Sequence, residues 1–440
     1  MSLAIPRTRT AFTPGWIKND LWRRARAIPS VDIRFAESRS LVDEITGRSL
    51  VTFTRASSAT FTDREGLPRI AANDVPRFDH NLITGESLGL LVEEQRINEI
   101  RNSFDMSGVV TGSPGTMPTG WSAQGNSNGW TRQIVGTGTI GDISYVDIRL
   151  SGTPTSSQFT ISFQSPGVVA AAQSQSWSAS LYYQLVGGSM SNITASPAAN
   201  LWDSSSNFVG KINLIGSVTP TSTLQRFTGS GQINISTTAF INWEMTFTCT
   251  VGNTYDFTVR LAGPQLEIGS FSTSYIPTTG TAATRSEDVV GIAGTNFSSW
   301  YRQDEGTFYS AVHTNMFSGT PGLFLATASG DNNNSIQGIL PEQSLVFSGG
   351  SLVANLLSGQ FLPVVGAMYR VAFGVQVNNF ARVANTSAIA VDTGGAMPTG
   401  INQIDIGGLG TGSSKLNGQI SRFVYWPQRL PNYTLQAMTQ

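Results

Sequence analysis

The chain has 440 residues, of which 40% are hydrophobic and only 12% charged, with a formal net charge of -1 and a single cysteine, Cys249. That length exceeds what one hydrophobic core usually organises, so two or three domains are expected, and a low charged fraction with abundant Gly, Ser, Thr and Asn is typical of β-rich extracellular or virion proteins. A near-neutral chain has no global field to attract nucleic acid or an anionic membrane, one cysteine makes neither an internal disulfide nor a thiolate metal cluster, and no apolar run is long enough for membrane insertion.

Residues 1–30 form a basic arm: Arg7, Arg9, Lys18, Arg23, Arg24 and Arg26 face one acid, Asp20. The start lacks the continuous apolar stretch of a secretory signal. Within the arm, TPGWIKNDLWRRARAIP predicts a helix with Thr13 as N-cap, Pro14 at the first helical position and Pro29 stopping it. Ile17, Leu21, Ala25 and Ile28 give it an apolar stripe flanked by Trp16 and Trp22. So short a helix needs a partner surface. That surface is either a neighbouring subunit, which makes Trp16, Ile17, Leu21, Trp22, Arg23 and Arg24 an assembly anchor, or the chain itself.

Of the 55 charged residues, 28 fall within 1–101, 13 within 102–285 and 14 within 286–440, which marks a boundary near residue 101. Residues 31–101 alternate short strand-like pieces with turn signals and are expected to form a small β-rich connector. From 102 to 285 the period-2 signal is clear. In FINWEMTFTCTVG the residues Ile241, Trp243, Met245, Phe247, Cys249 and Val251 alternate with Asn242, Glu244, Thr246, Thr248 and Thr250. YVDIRL, QFTISF, SWSASLYY and YDFTVRL repeat the pattern. Such strands, separated by Gly, Pro and Ser, predict a jelly-roll β-sandwich over 102–285. GTFYSAVHT, MYRVAFGVQV and GQISRFVYW predict a second sandwich over 286–440, ending in a short helix with Asn432 as N-cap. The expected fold is thus mainly β, two jelly-roll-type sandwiches preceded by an arm and a connector.

The segments DLWRRARAIPSVDIRFAESRSLVDEITGRSLVTFTRASSATF, VPRFDHNLITGESLGLLVEEQRIN and GPQLEIGSFSTSYIPTTGTAATR resemble tailed-bacteriophage structural proteins of the tail-fibre-like kind. In these, the LLVEEQRIN segment leads into a sandwich similar to carbohydrate-binding modules, and the QLEIGSFSTSYIPT segment closes it. Many relatives carry EEQRTN where this chain has Ile97, a departure that leaves the fold assignment intact. LNGQISRFVYWPQRLPNYTLQAMT resembles the end of concanavalin-like or laminin-G-like sandwiches. The resemblance implies a virion protein, often a homotrimer, synthesised in the bacterial host cytoplasm.

A search for chemistry returns little. His80 and His313 are not at metal-ligand spacing, and no nucleophile-elbow motif is present. The sandwich carboxylates Asp203, Glu244, Asp256, Glu267, Asp304, Glu305, Asp392 and Asp405 are scattered singly, and Glu244 reads as a solvated carboxylate on a polar strand face. Asp331 in DNNN offers too little charge to hold calcium. Neither a metal nor a cofactor is expected. Glycan binding uses aromatic faces with amides and carboxylates nearby. Trp121 and Trp130 in GWSAQGNSNGW suit it best, then Trp202 with Asp203, while Trp177 and Trp243 belong to the core. The expected function is a non-enzymatic tail, collar or head fibre, held by portal, collar, tail or capsid proteins and adhering to host-surface glycan. A ligand-free fibre or decoration protein and a polysaccharide depolymerase are the alternatives.

Overall fold

The computed structural model describes residues 20–125, 128–165, 168–315, 320–358, 364, 366–410 and 414–440. The chain divides into two compact units, and the division is not the linear one that the charge distribution suggests. One unit comprises 1–53, 87–92 and 289–440; the other comprises 54–86 and 93–288. The expected connector, 31–101, is therefore shared between them. Both units are built from antiparallel sheets.

The unit containing residues 93–288 is a sandwich whose strands we number in chain order: β1 Ser122–Gln124, β2 Trp130–Ile140, β3 Ile143–Gly152, β4 Gln158–Ser162, β5 Val169–Ala170, β6 Ser176–Ser189, β7 Ile193–Trp202, β8 Phe208–Ile212, β9 Gln225–Gln232, β10 Phe240–Cys249 and β11 Tyr255–Ile268. One sheet runs β9-β6-β11-β3-β2 and the other β8-β7-β10-β4-β1, with β5 also paired to β10. The predicted alternation is what packs them. Val146, Ile148, Leu150, Phe159, Ile161, Phe163, Trp177, Leu181, Tyr183, Ile241, Trp243, Met245, Phe247, Phe257, Val259 and Leu261 share one core, and Cys249 packs there as a small apolar residue. Val251 does not join them. The strand ends at Cys249, and Val251 sits in the following turn, 52% exposed.

Five charged side chains are buried together in this unit: Arg55, Arg77, Arg285, Glu93 and Asp288. Arg77 reaches Asp288 at 2.5 Å and Glu93 at 2.8 Å, Arg285 reaches Glu93 at 2.9 Å, and Arg55 reaches Asp288 at 3.2 Å. Ser274 donates to Glu93 from its backbone N–H (2.7 Å) and its hydroxyl (2.6 Å). Backbone carbonyls of Ser57, Ala72, Val75 and Thr60 absorb guanidinium donors of Arg55 and Arg77, which offsets the surplus positive charge. Burial works against ionised Glu93, yet Arg285, Arg77 and Ser274 outweigh it and hold the carboxyl down at about 2.

The second unit is also a sandwich. One sheet orders Ala390–Asp392, Phe380–Ala384, Met368–Gln376, Glu305–Thr314, Gly418–Trp426 and Ser87–Val92, with Val31–Ile33 also paired to Gly418–Trp426. The other orders Thr52–Thr54, Val289–Ala293, Gln403–Ile406, Gly322–Ala328, Asp331–Ile339, Gln343–Ser348 and Ser351–Leu357. Phe308 and Phe324 stack across the two sheets, centroids 4.6 Å apart. The helix Asp20–Ala25 and the C-terminal helix Asn432–Met438 cover Tyr309, Val383, Val424 and Trp426 on the first sheet's other face. Asn432 is the first helical residue rather than the cap, a position taken by Pro431, and its side chain accepts from Arg429 instead.

The sign of the pH dependence follows from Glu93. Its folded value lies below the ordinary 4.5, so its stabilisation is complete above pH 4.5 and is lost as pH falls toward 2, by on the order of 3 kcal/mol. Urea unfolding monitored by tryptophan fluorescence is expected to give a midpoint that falls across that window. In Glu93→Gln the fall is shallower, and at pH 7 the variant is less stable by about 3–5 kcal/mol.

Candidate functional site

The expected glycan-stacking tryptophans are not where a sugar could meet them. Trp121 is 6% exposed and Trp130 2% exposed. Trp121 packs edge-on against Phe163 at 4.9 Å and its indole N–H donates to the Asn102 carbonyl at 2.8 Å. Trp130 opens β2 and stacks on Tyr255 at 5.6 Å. Both rings belong to the sandwich core, so neither offers a face to ligand, and the reading of these two as binding residues is corrected.

The N-terminal helix also spends its apolar side on its own chain. Leu21, Trp22 and Ala25 pack with Leu435 and Met438, the Trp22 indole N–H donates to buried Asp32 at 2.9 Å, and Arg24 donates to the carbonyls of Ala437 and Gln440. Of the expected anchor, Arg23 remains on the surface beside a hollow of about 370 Å³, lined also by Trp22, Arg26, Ala27 and Ile28. Ile28, expected on the apolar stripe, is 58% exposed. Trp16 and Ile17 lie outside the described residues, as do Thr13 and Pro14.

Trp202 is placed differently. Register sets it opposite Phe240 on β10 and Phe208 on β8. Ala199, Leu201, Ile241 and Trp243 face the core, so the alternate residues lie on the outer side of the sheet. That outer side carries an aromatic row, Phe208, Trp202 and Phe240, with Trp202 and Phe208 edge-to-face at 5.7 Å and Phe208 55% exposed. The next row holds Lys211, Asn200 and Asn242, and the next Ala198, Glu244, Ser162 and Ser122. Thr246, Thr160 and Gln124 follow. The result is an aromatic shelf beside amides, hydroxyls and one carboxylate.

The polar groups are held in place. Asn200 donates to Glu244 at 2.7 Å, Asn242 donates to Ser162 Oγ at 3.0 Å, and the hydroxyls of Thr160 and Thr246 meet at 3.3 Å. Burial raises the Glu244 carboxyl above its ordinary value, opposed by Asn200 and Lys211. Glu244 is thus half-buried in a network rather than freely solvated. Asp203 does not join the face: its carboxylate accepts from Ser205 N, Asn207 N and Asn207 Nδ2 and closes its own turn. Asp256 is engaged by Arg149, Glu267 by Thr273, and Asp304 and Glu305 by Arg302, while Asp331 accepts from Asn333 N and Asp392 from Gly394 N.

No protein-family model and no curated protein matches the chain. Among solved structures it is similar to the CBM22-1 xylan-binding domain of Paenibacillus barcinonensis Xyn10C, at 11% identity and a TM-score of 0.25 over 40% of this chain and 94% of that one. It is also similar to the tripod (BppUct-A-L) of the bacteriophage Tuc2009 baseplate, at 10% identity and a TM-score of 0.28 over 79% of this chain and 99% of that one. Mouse laminin α1 domains LG4-5 follow at 9% identity and a TM-score of 0.20, over 59% and 84%.

Since Trp130 is core, Trp130→Ala is expected to destabilise the unit by about 3–5 kcal/mol, read as a lower urea midpoint.

Proposed function

We propose that this chain is a non-enzymatic phage virion protein that adheres to host-surface glycan through the outer face of the β8-β7-β10-β4-β1 sheet. The observation that carries the reading is the juxtaposition on that face of Trp202, Phe240 and Phe208 with Asn200, Asn242 and Glu244. An aromatic shelf matches the apolar C–H surface of a pyranose ring, and adjacent amide and carboxylate groups match its hydroxyls. Mutual hydrogen bonds fix these groups before a ligand arrives, which lowers the ordering cost of binding. Location in the virion is supported by the sequence resemblance to tail-fibre-like proteins. In this reading the basic arm contacts neighbouring portal, collar, tail or capsid proteins, and a homotrimer converts a weak site into avidity.

The test is binding of the full chain to host cells and to envelope polysaccharide. Trp202→Ala is expected to weaken binding about tenfold with the fold retained, because the ring is only partly buried. Unchanged binding contradicts the assignment of the face, and no binding by the native chain favours a ligand-free fibre. Incubation is expected to leave the polysaccharide's length unchanged; shortening supports a depolymerase instead.

A further inference from the structure

A cavity of about 470 Å³ lies at the far end of the aromatic row, lined by Glu99, Arg101, Gln164, Val169, Ala170 and Thr281 among others. Its size falls in the range of small-molecule sites. Ala170 of β5 pairs with Phe240, so it continues the row of Phe208, Trp202 and Phe240 across a fourth strand. At about 4.8 Å per strand, the row extends about 14 Å before it meets the cavity. A ligand laid along the row therefore reaches the cavity with its end.

We propose that this cavity is a subsite for the carboxylate of an acidic sugar unit, with Arg101 pairing the carboxylate and Glu99 accepting from neighbouring hydroxyls. The proposal rests on the glycan-binding reading of the outer face. Both residues line the cavity, while Ile100 between them is buried in the core and holds the segment down. The backbone is fixed on every side: Glu99 N donates to the Leu266 carbonyl at 2.9 Å, Arg101 N to Gln164 Oε1 at 2.9 Å, and Gly280 N to the Arg101 carbonyl at 2.7 Å. Among the described residues neither charged side chain is engaged in an ion pair, with each other or with a third group. Burial keeps the Glu99 carboxyl above its ordinary value.

Two opposite charges facing one hollow without pairing leave a gap that a ligand can bridge. A neutral sugar satisfies Glu99 with its hydroxyls but leaves the guanidinium to water. A carboxylate satisfies it in the two-pronged geometry for which guanidinium is suited. A phosphate monoester fits less well, because Glu99 repels its second charge and Arg101 is the one cation of the lining residues named, and a sulfate ester spreads its single charge over three oxygens instead of the planar pair that matches one guanidinium.

The experiment is a printed glycan array carrying neutral, uronic- and sialic-acid-bearing, sulfated and phosphorylated glycans, probed with the full chain, Arg101→Gln and Trp202→Ala. Arg101 is exposed, so its replacement leaves the fold in place. The strongest ligands are expected to carry a carboxylate. Arg101→Gln is expected to lower those signals tenfold or more while sparing neutral counterparts, and Trp202→Ala to lower both. Neutral and carboxylated glycans bound equally and unaffected by Arg101→Gln, or a preference for phosphate or sulfate, overturns the subsite and leaves the outer face standing. Binding to no class of glycan overturns both.

Discussion

Arg55, Arg77, Arg285, Glu93 and Asp288 come from four distant stretches of sequence, yet they meet in one buried cluster with Ser274 at its centre. Three of these residues lie beside places where the chain leaves or enters its unit, at 53/54, 92/93 and 288/289. Removing either carboxylate adds uncompensated positive charge to the interior, a far larger cost than a missing methyl group. The cluster therefore fixes how the ends of the sandwich segment are brought together. Asn98 extends the knot by donating to the carbonyls of Pro264 and Ile276, which ties the entry of the sandwich to its exit.

This arrangement gives a physical meaning to the segments that resemble tail-fibre-like proteins. LLVEEQRIN supplies Glu93 and Asn98, and QLEIGSFSTSYIPT supplies Gln265, Glu267, Ser274 and Tyr275, all of them buried or hydrogen-bonded within the unit. These residues brace the fold rather than meet a ligand. The face proposed for binding lies on strands outside these segments, so bracing and recognition fall to different residues in this reading.

The strands were legible because a half-buried sheet writes its own period. Ile241 to Cys249, Phe159 to Phe163 and Tyr255 to Leu261 all face the core as their alternation predicts. What alternation does not contain is register between distant strands. Glu244 reads as an isolated carboxylate until β7 and β4 place Asn200 and Ser162 beside it, 44 and 82 residues away in sequence. The same limit applies to Trp121 and Trp130, whose polar neighbours suggest exposure although Phe163, Phe159 and Tyr255 enclose them. It applies to the connector as well: Ser87–Val92 adds to the strand Gly418–Trp426, a partner more than 300 residues on.

In the proposed reading, ligand meets the outer face of the β8-β7-β10-β4-β1 sheet and nothing in the core. Hydrogen exchange of the full chain, measured with and without the tightest-binding glycan, tests it most directly. Protection confined to β7, β8, β10 and the segments around Glu99 and Ala170 is the predicted result. Protection centred on the sheets of the other unit, with these segments unchanged, contradicts it.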